Sequence, residues 1–211
     1  MNTSKIPNQN EVDLNRDFVK KILIFGGAFF IVIHIVHLFV FFRTGTHWAV
    51  FDLNKEHNPP TLYQAMLWLC SSLLSLWAVK NLKSSARSLW IFFSMIFLFL
   101  ACDEYFVIHD SLNDPLREKF GLGGAFYFGW VIPYAVALIL LLPLAWKFLR
   151  SLPIKTQSLF AFSGFIYVFG AFGMELISAS HREIHGRDNI TFAVATTIEE
   201  SLEILGVSLF C

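Results

Sequence analysis

Six apolar blocks run along this chain, at roughly 19–42, 61–80, 88–109, 124–147, 157–178 and 190–210, each parted from the next by a short polar connection. At about 1.5 Å of rise per residue, roughly 20 helical residues cross the hydrocarbon core of a bilayer, so every block is long enough to span one. The pattern predicts an all-α, polytopic six-helix transmembrane bundle whose short loops make sequential helices antiparallel neighbours. Asn58-Pro59-Pro60-Thr61 opens the second block, with Thr61 as the expected cap; Asp114-Pro115 and Gly121, Gly123 and Gly124 break the chain before the fourth. Residues 1–18 are a polar tail ahead of a single membrane domain, 19–211. The tail lacks the apolar stretch of a cleavable signal, so the first block is expected to stay as an anchor. The last block stops at Cys211 with no basic flank, the pattern of a chain cut short.

Basic residues alternate between connections. Lys5, Arg16, Lys20 and Lys21 precede the first block, Lys80, Lys83 and Arg87 fill the second connection, and Lys147, Arg150 and Lys155 the fourth. The other connections hold Arg43, Lys55, Arg117, Lys119, Arg182 and Arg187 among many acids. The positive-inside rule then puts both termini in the cytoplasm and the odd-numbered loops on the far side. Composition agrees with a membrane protein: 55% of residues are hydrophobic and 15% charged, against about 25% charged in soluble domains. A net charge of zero gives no field for nucleic acid. Cys70, Cys102 and Cys211 are too few, and odd in number, for a disulfide framework.

Against this background the ionisable residues inside the blocks stand out. The third block ends in Ala101-Cys102-Asp103-Glu104-Tyr105-Phe106-Val107-Ile108-His109-Asp110, the fifth carries Glu175, and the sixth carries Glu199, Glu200 and Glu203. His34 and His37 lie in the first. Each such residue costs roughly 2.5–3.5 kcal/mol to insert, so a role is the default expectation. Counting helical rise places Asp103 and Glu104 roughly 7–9 Å outward of the midplane, Glu175 about 12 Å, and Glu199, Glu200 and Glu203 within a few ångströms of the middle. Segments far apart in sequence thus bring acids to similar depths, which points to one shared site facing the non-cytoplasmic side. At about 100° per residue, Thr196, Glu199, Glu200 and Glu203 share one helix face. Glu104 and His109 diverge from Asp103 and Asp110, so a straight third helix cannot aim all four at one point. Ser180-His181-Arg182-Glu183-Ile184-His185 adds an H-x-x-x-H pair, metal-competent spacing if helical, in what the pattern makes an outer loop above Glu175.

Acids at such depth cannot all stay ionised and unpaired. Three readings follow. One is a structural network neutralised by Arg43, Arg182, Arg187 or Lys119. Another is a metal site, and a third a path of protonatable carboxylates for protons or cations. A non-catalytic role, pairing with other membrane subunits, is an alternative to both functional readings. His34 and His37 fit either ligation or hydrogen bonds to a neighbouring helix. Haem is disfavoured, because no second pair of histidines sits at matching depth on an adjacent helix. Trp48, Tyr63, Tyr127 and Trp130 fit interfacial anchors. This constellation of acids and histidines in a helical membrane domain resembles, in outline, the seven-helix membrane hydrolases of the alkaline ceramidase and adiponectin-receptor type, which join Ser, Asp and His around zinc. Six helices, a loop-borne H-x-x-x-H and an excess of acids depart from that pattern, so the resemblance assigns no residue a role.

The leading expectation is a metal-dependent enzyme, hydrolase or oxidoreductase, acting on a lipid-like substrate at the bilayer. Carboxylate-rich ligation suits iron, manganese or zinc. Asp103, Glu104, Glu200 and Glu203 are the expected inner ligands, followed by His109, Asp110, Glu175 and Glu199, with His181 and His185 as lid ligands. Glu104 and Glu200 are the expected catalytic carboxylates, one of them free of metal to serve as general base.

Overall fold

With no water in hydrocarbon to satisfy the backbone, an apolar segment of this length folds as a helix. The computed structural model describes residues 9–80 and 84–211; helices joined by short connections make up the fold, with no strand among the described residues. Lys5 and Lys83, two of the basic residues behind the expected orientation, lie outside the described residues. The first helices are α1 (Gln9–Thr44), α2 (Pro59–Val79) and α3 (Ser84–Phe106). Short α4 (Ile108–Ser111) and α5 (Asn113–Phe120) follow, then α6 (Val131–Arg150). A long rod joins α7 (Ile154–Val168) through a π-helical stretch (Phe169–Met174) to α8 (Glu175–His185), and α9 (Ile190–Phe210) closes the chain. Five stretches are long and apolar enough to cross a membrane: Phe18–Thr44, Pro59–Val79, Arg87–Phe106, Val131–Arg150 and Ile154–His185. Large apolar side chains such as Phe25, Phe165 and Leu140 are exposed around them, the surface that lipid contact requires. These features mark a multi-pass membrane protein.

Four local expectations are corrected. Asn58, not Thr61, caps α2: its Oδ1 accepts the Thr61 amide at 3.1 Å, and Pro59 takes the first helical turn, where its missing N–H costs nothing. The fourth helix starts at Val131 rather than 124, because Gly124 turns the chain through φ 59° into a short 3-10 turn over Gly124–Phe126. The third stops at Phe106 rather than 109, where Val107 takes a left-handed conformation (φ 55°, ψ 44°). Ser180 to His185 is helix, not loop; α8 runs to His185 and ends at Gly186 (φ 73°).

The acid-bearing α9 lies at the centre, packed against α1, α2, α7, α8 and the π-helical stretch. Asn189 caps it by accepting the Phe192 amide at 2.9 Å. Two glycines allow the close approach. A Cβ on Gly206 would stand 2.7 Å from Tyr167 Cβ, and one on Gly170 2.9 Å from Leu202 Cβ and 3.1 Å from the Glu199 carbonyl. Small residues at helix crossings are how membrane helices gain packing that hydrophobicity cannot supply. At one end of α9, Val207 packs with Leu67, Trp68, Phe97 and Ala101, with Tyr167 and Phe210 against them. Gly206→Ala should therefore destabilise the bundle by about 1–3 kcal/mol through overpacking, read as a lower thermal midpoint in detergent. An unchanged midpoint would mean that α7 and α9 can separate freely.

Candidate functional site

A cavity of ≈ 210 Å³ opens beside α9, and α3, α4, α8, α9 and the segment before α2 all contribute acids to its wall. Asp103, Glu104, His109, Asp110, Glu175, Glu199, Glu200 and Glu203 line it. His181 and His185 do not. Their rings stack on each other at 4.5 Å, and His181 Nε2 meets Asn189 Oδ1 at 2.7 Å, so the pair supports the turn into α9 rather than a lid over the acids.

The left-handed Val107 explains how His109 enters. A β-branched residue at positive φ is a genuine outlier, and such strain persists where surrounding contacts fix it. The break folds α4 back so that Asp103 Oδ1 accepts the His109 amide at 2.9 Å and Oδ2 meets His109 Nδ1 at 3.1 Å. The straight-helix argument fails at this point, because the chain turns between Asp103 and His109. Tyr134 Oη donates to Asp103 Oδ1 at 2.7 Å, which fills the remaining capacity of that oxygen. Since a carboxylate only accepts, Nδ1 carries the proton and Nε2 faces the cavity. There Asp110 Oδ1 lies 4.0 Å from Nε2, and Glu56, His109 and Asp110 each bring a ligand atom within 4.8 Å of the others. These three are the residues best placed to hold a cation. Asp110 is steadied by Asn113, whose amide donates to it at 2.9 Å.

The remaining acids form a second group. Gln64 Nε2 donates to Glu104 Oε2 at 3.2 Å and to Glu203 Oε2 at 3.1 Å, tying α2, α3 and α9 together. Glu175 accepts from Trp130 Nε1 at 2.7 Å, and Glu199 from Ser178 Oγ at 3.3 Å. Trp130 is 7% exposed, so it is a buried donor rather than the interfacial anchor expected of it. Among the described residues, none of Arg43, Lys119, Arg182 or Arg187 forms an ion pair with a cavity acid, although Arg187 lines the cavity, and Arg117 pairs with Asp114.

Charge follows from the geometry. Burial works against a charged His109, but the hydrogen bond and charge of Asp103, with Asp110 and Glu104 behind, outweigh it and push the imidazole up to about 10. Burial raises Glu56. The surroundings of His109 therefore favour its protonated form. Glu56, Gln64 and Tyr134 escape a reading of the sequence. Glu56 sits in a polar connection where acids are ordinary, and the other two are uncharged.

Fold and site define an all-helical, multi-pass membrane protein with a carboxylate-rich cavity around one strongly paired histidine. The chain belongs to a family described as a domain of unknown function (DUF8692), whose model matches residues 22–211. No curated protein and no solved structure matches it.

The raised histidine has a stability consequence. A group whose folded value lies above its ordinary 6.5 stabilises fully below that value and loses the contribution as pH climbs through about 10. In chelator-treated protein, the thermal midpoint should fall between pH 7 and pH 10, and His109→Gln should flatten the fall. Parallel curves for the two proteins would contradict the pairing.

Proposed function

We propose that this protein is a six-span membrane enzyme that binds a divalent cation, iron, manganese or zinc, at His109 Nε2, Glu56 and Asp110, and acts on a lipid-like substrate. The observation that carries the reading is the orientation of His109. Its Nδ1–H is given to Asp103, as metal-bound histidines give their second N–H to a carboxylate, and its Nε2 is turned to two carboxylates. One imidazole with oxygen ligands suits borderline and hard ions. Asp103, first among the ligands expected from sequence, becomes the residue behind the ligand. A bound cation would supply Lewis acidity and an activated water for hydrolysis. Glu104 and Glu200, which line the same cavity, remain the candidates for general base.

The reading takes α9 as the sixth span. Its 21 residues reach across a bilayer core, and its acids are enclosed by neighbouring helices. The reading also takes the cavity to open on the non-cytoplasmic side, for which the alternation of basic residues along the sequence is the support. An ion path is less well supported. Beyond Glu203 stands Tyr167, its ring held edge-on by Trp68 at 4.8 Å, backed by the apolar cluster of Leu67, Phe97 and Val207.

Elemental analysis of detergent-purified protein tests the proposal. Wild type should carry stoichiometric iron, manganese or zinc, and Glu56→Gln or Asp110→Asn should lose it. Asp103→Asn should weaken binding by about 10–100-fold, the usual cost of removing a residue that orients a ligand. Glu200→Gln should keep the metal and lose turnover. Absence of metal from wild type under every condition that preserves the fold would sink the reading.

A further inference from the structure

Glu56 reaches the cavity on the segment between α1 and α2, which holds only a 3-10 turn, Ala49–Phe51. Asn58 holds the end of this segment, its amide donating to the Asp52 and Lys55 carbonyls at 2.8 Å, and a pair of histidines on α1 holds residues 48–53 from across the gap. His37 Nδ1 accepts the Trp48 amide at 3.2 Å, and His34 Nδ1 accepts the Leu53 amide at 3.0 Å. Both histidines are 1% exposed. Their spacing of three residues puts them on one face of the helix.

The proton positions can be read from the partners. Thr197 Oγ1 spends its own hydrogen on the Ala193 carbonyl at 2.6 Å, so towards His34 Nε2, 3.0 Å away, it can only accept. His34 therefore carries its proton on Nε2 and offers a lone pair at Nδ1, as the Leu53 amide requires. His37, receiving the Trp48 amide at Nδ1, likewise has its hydrogen on Nε2, directed towards Asp52 Oδ2 at 3.9 Å. This decides the character of the cluster. His37, His47 and Asp52 bring ligand atoms within 4.8 Å, but a cation there would need the Nε2 lone pair of His37, and that histidine's lone pair is at Nδ1, engaged by Trp48. The cluster is a hydrogen-bonded clasp, not a second cation site.

We infer that His34 and His37 are positioning residues, a proton-sensitive clasp that holds residues 48–53 and thereby sets Glu56 in the cavity. The consequence for metal binding rests on the reading of Glu56 given above; the clasp does not. Protonating either imidazole at Nδ1 sets N–H against N–H, so the backbone amide must let go. Charged and titratable neighbours are few. Asp52 faces both histidines from the held segment, 3.6 Å from His34 Nδ1, and His47 stacks edge-on to His37 at 4.9 Å. Lys55, Arg187 and Asp188 share the adjoining ≈ 90 Å³ cavity. From α9 the facing group is the neutral Thr197. An imidazolium would turn to Asp52, so acid exchanges the amide partners for the carboxylate and shifts the segment without cutting it loose.

Asparagine separates this from plain packing, because its Oδ1 falls near the place of histidine Nδ1, accepts an amide and does not titrate. Amide exchange of the 45–58 segment, followed by mass spectrometry in detergent and corrected for intrinsic rates, is the direct readout. In wild type, protection at Trp48 and Leu53 should fall at least about fivefold between pH 8 and pH 5, the scale of one lost hydrogen bond. In the double variant His34→Asn/His37→Asn it should be retained and independent of pH. Equal acid sensitivity in the asparagine variant, or none in wild type, overturns the clasp. If His34→Leu folds, its protection should be low at every pH. Metal content measured on the same samples keeps the two readings apart. A chain that binds no metal yet shows the exchange pattern fails the proposed function alone, and one that binds metal with pH-blind exchange fails the clasp alone.

Discussion

The architecture depends on burying one acidic helix among apolar ones. Glu199, Glu200 and Glu203 could not face hydrocarbon, so α9 has to be enclosed, and enclosure demands that its neighbours come close. Gly206 against Tyr167 and Gly170 against Leu202 supply the closeness, at distances where any side chain would collide. The π-helical stretch follows from the same demand. Local widening of the helix lets the rod from α7 to α8 bring Gly170 to α9 and still deliver Glu175 to the cavity wall. Helices α1 and α2 then close the remaining sides, and polar contacts (His34 to Thr197, Gln64 to Glu203) do between helices what apolar packing cannot do in lipid.

Within that enclosure the pocket sorts its acids by partner. Asp103 is fully engaged by an amide, an imidazole and a phenol. Glu104 and Glu203 share one glutamine amide, and Glu175 and Glu199 take an indole and a hydroxyl. Glu56 and Asp110 are the two that converge on the open nitrogen of His109. These two also accept from neutral donors, Glu56 from the Thr61 hydroxyl at 3.3 Å and Asp110 from the Asn113 amide at 2.9 Å. Strain at Val107 is what makes the sorting work. Without the turn there, His109 would follow Asp103 around a straight helix and face away from it.

Much of this is legible in the sequence. Block lengths locate the helices, and depth counting brings Asp103, Glu104, Glu175 and the α9 acids to one level, as the cavity has them. What escapes is whatever periodicity does not encode. A helix interrupted by a single left-handed valine looks like an uninterrupted one, because valine gives no turn signal. Glu56 lies in a connection whose polar residues look solvated, and its place in the cavity wall appears only in the structure, where two buried histidines hold the Trp48 and Leu53 amides upstream of it. His181 and His185 mislead in the opposite sense. Their spacing suits a metal, but side chains on the same face of α8 are equally able to stack, and they do. Spacing gives the face that a side chain occupies, while the partner across the gap decides its chemistry.

The same distinction separates the two histidine clusters. Each sets an aspartate beside at least one imidazole, one as His37, His47 and Asp52 and the other as Glu56, His109 and Asp110, with ligand atoms within 4.8 Å of one another. Their hydrogens differ. His109 gives its Nδ1 hydrogen to Asp103 and keeps Nε2 for the cavity, whereas His34 and His37 receive backbone hydrogens at Nδ1 and point Nε2–H at an acceptor. In the first a ring nitrogen faces the cavity, and in the second both Nδ1 acceptors are taken by backbone amides. The second cluster grips the segment that leads to Glu56, which links the two. A change in hydrogen-bond acceptance at α1 is transmitted through residues 48–56 as a displacement of one carboxylate in the wall of the cavity.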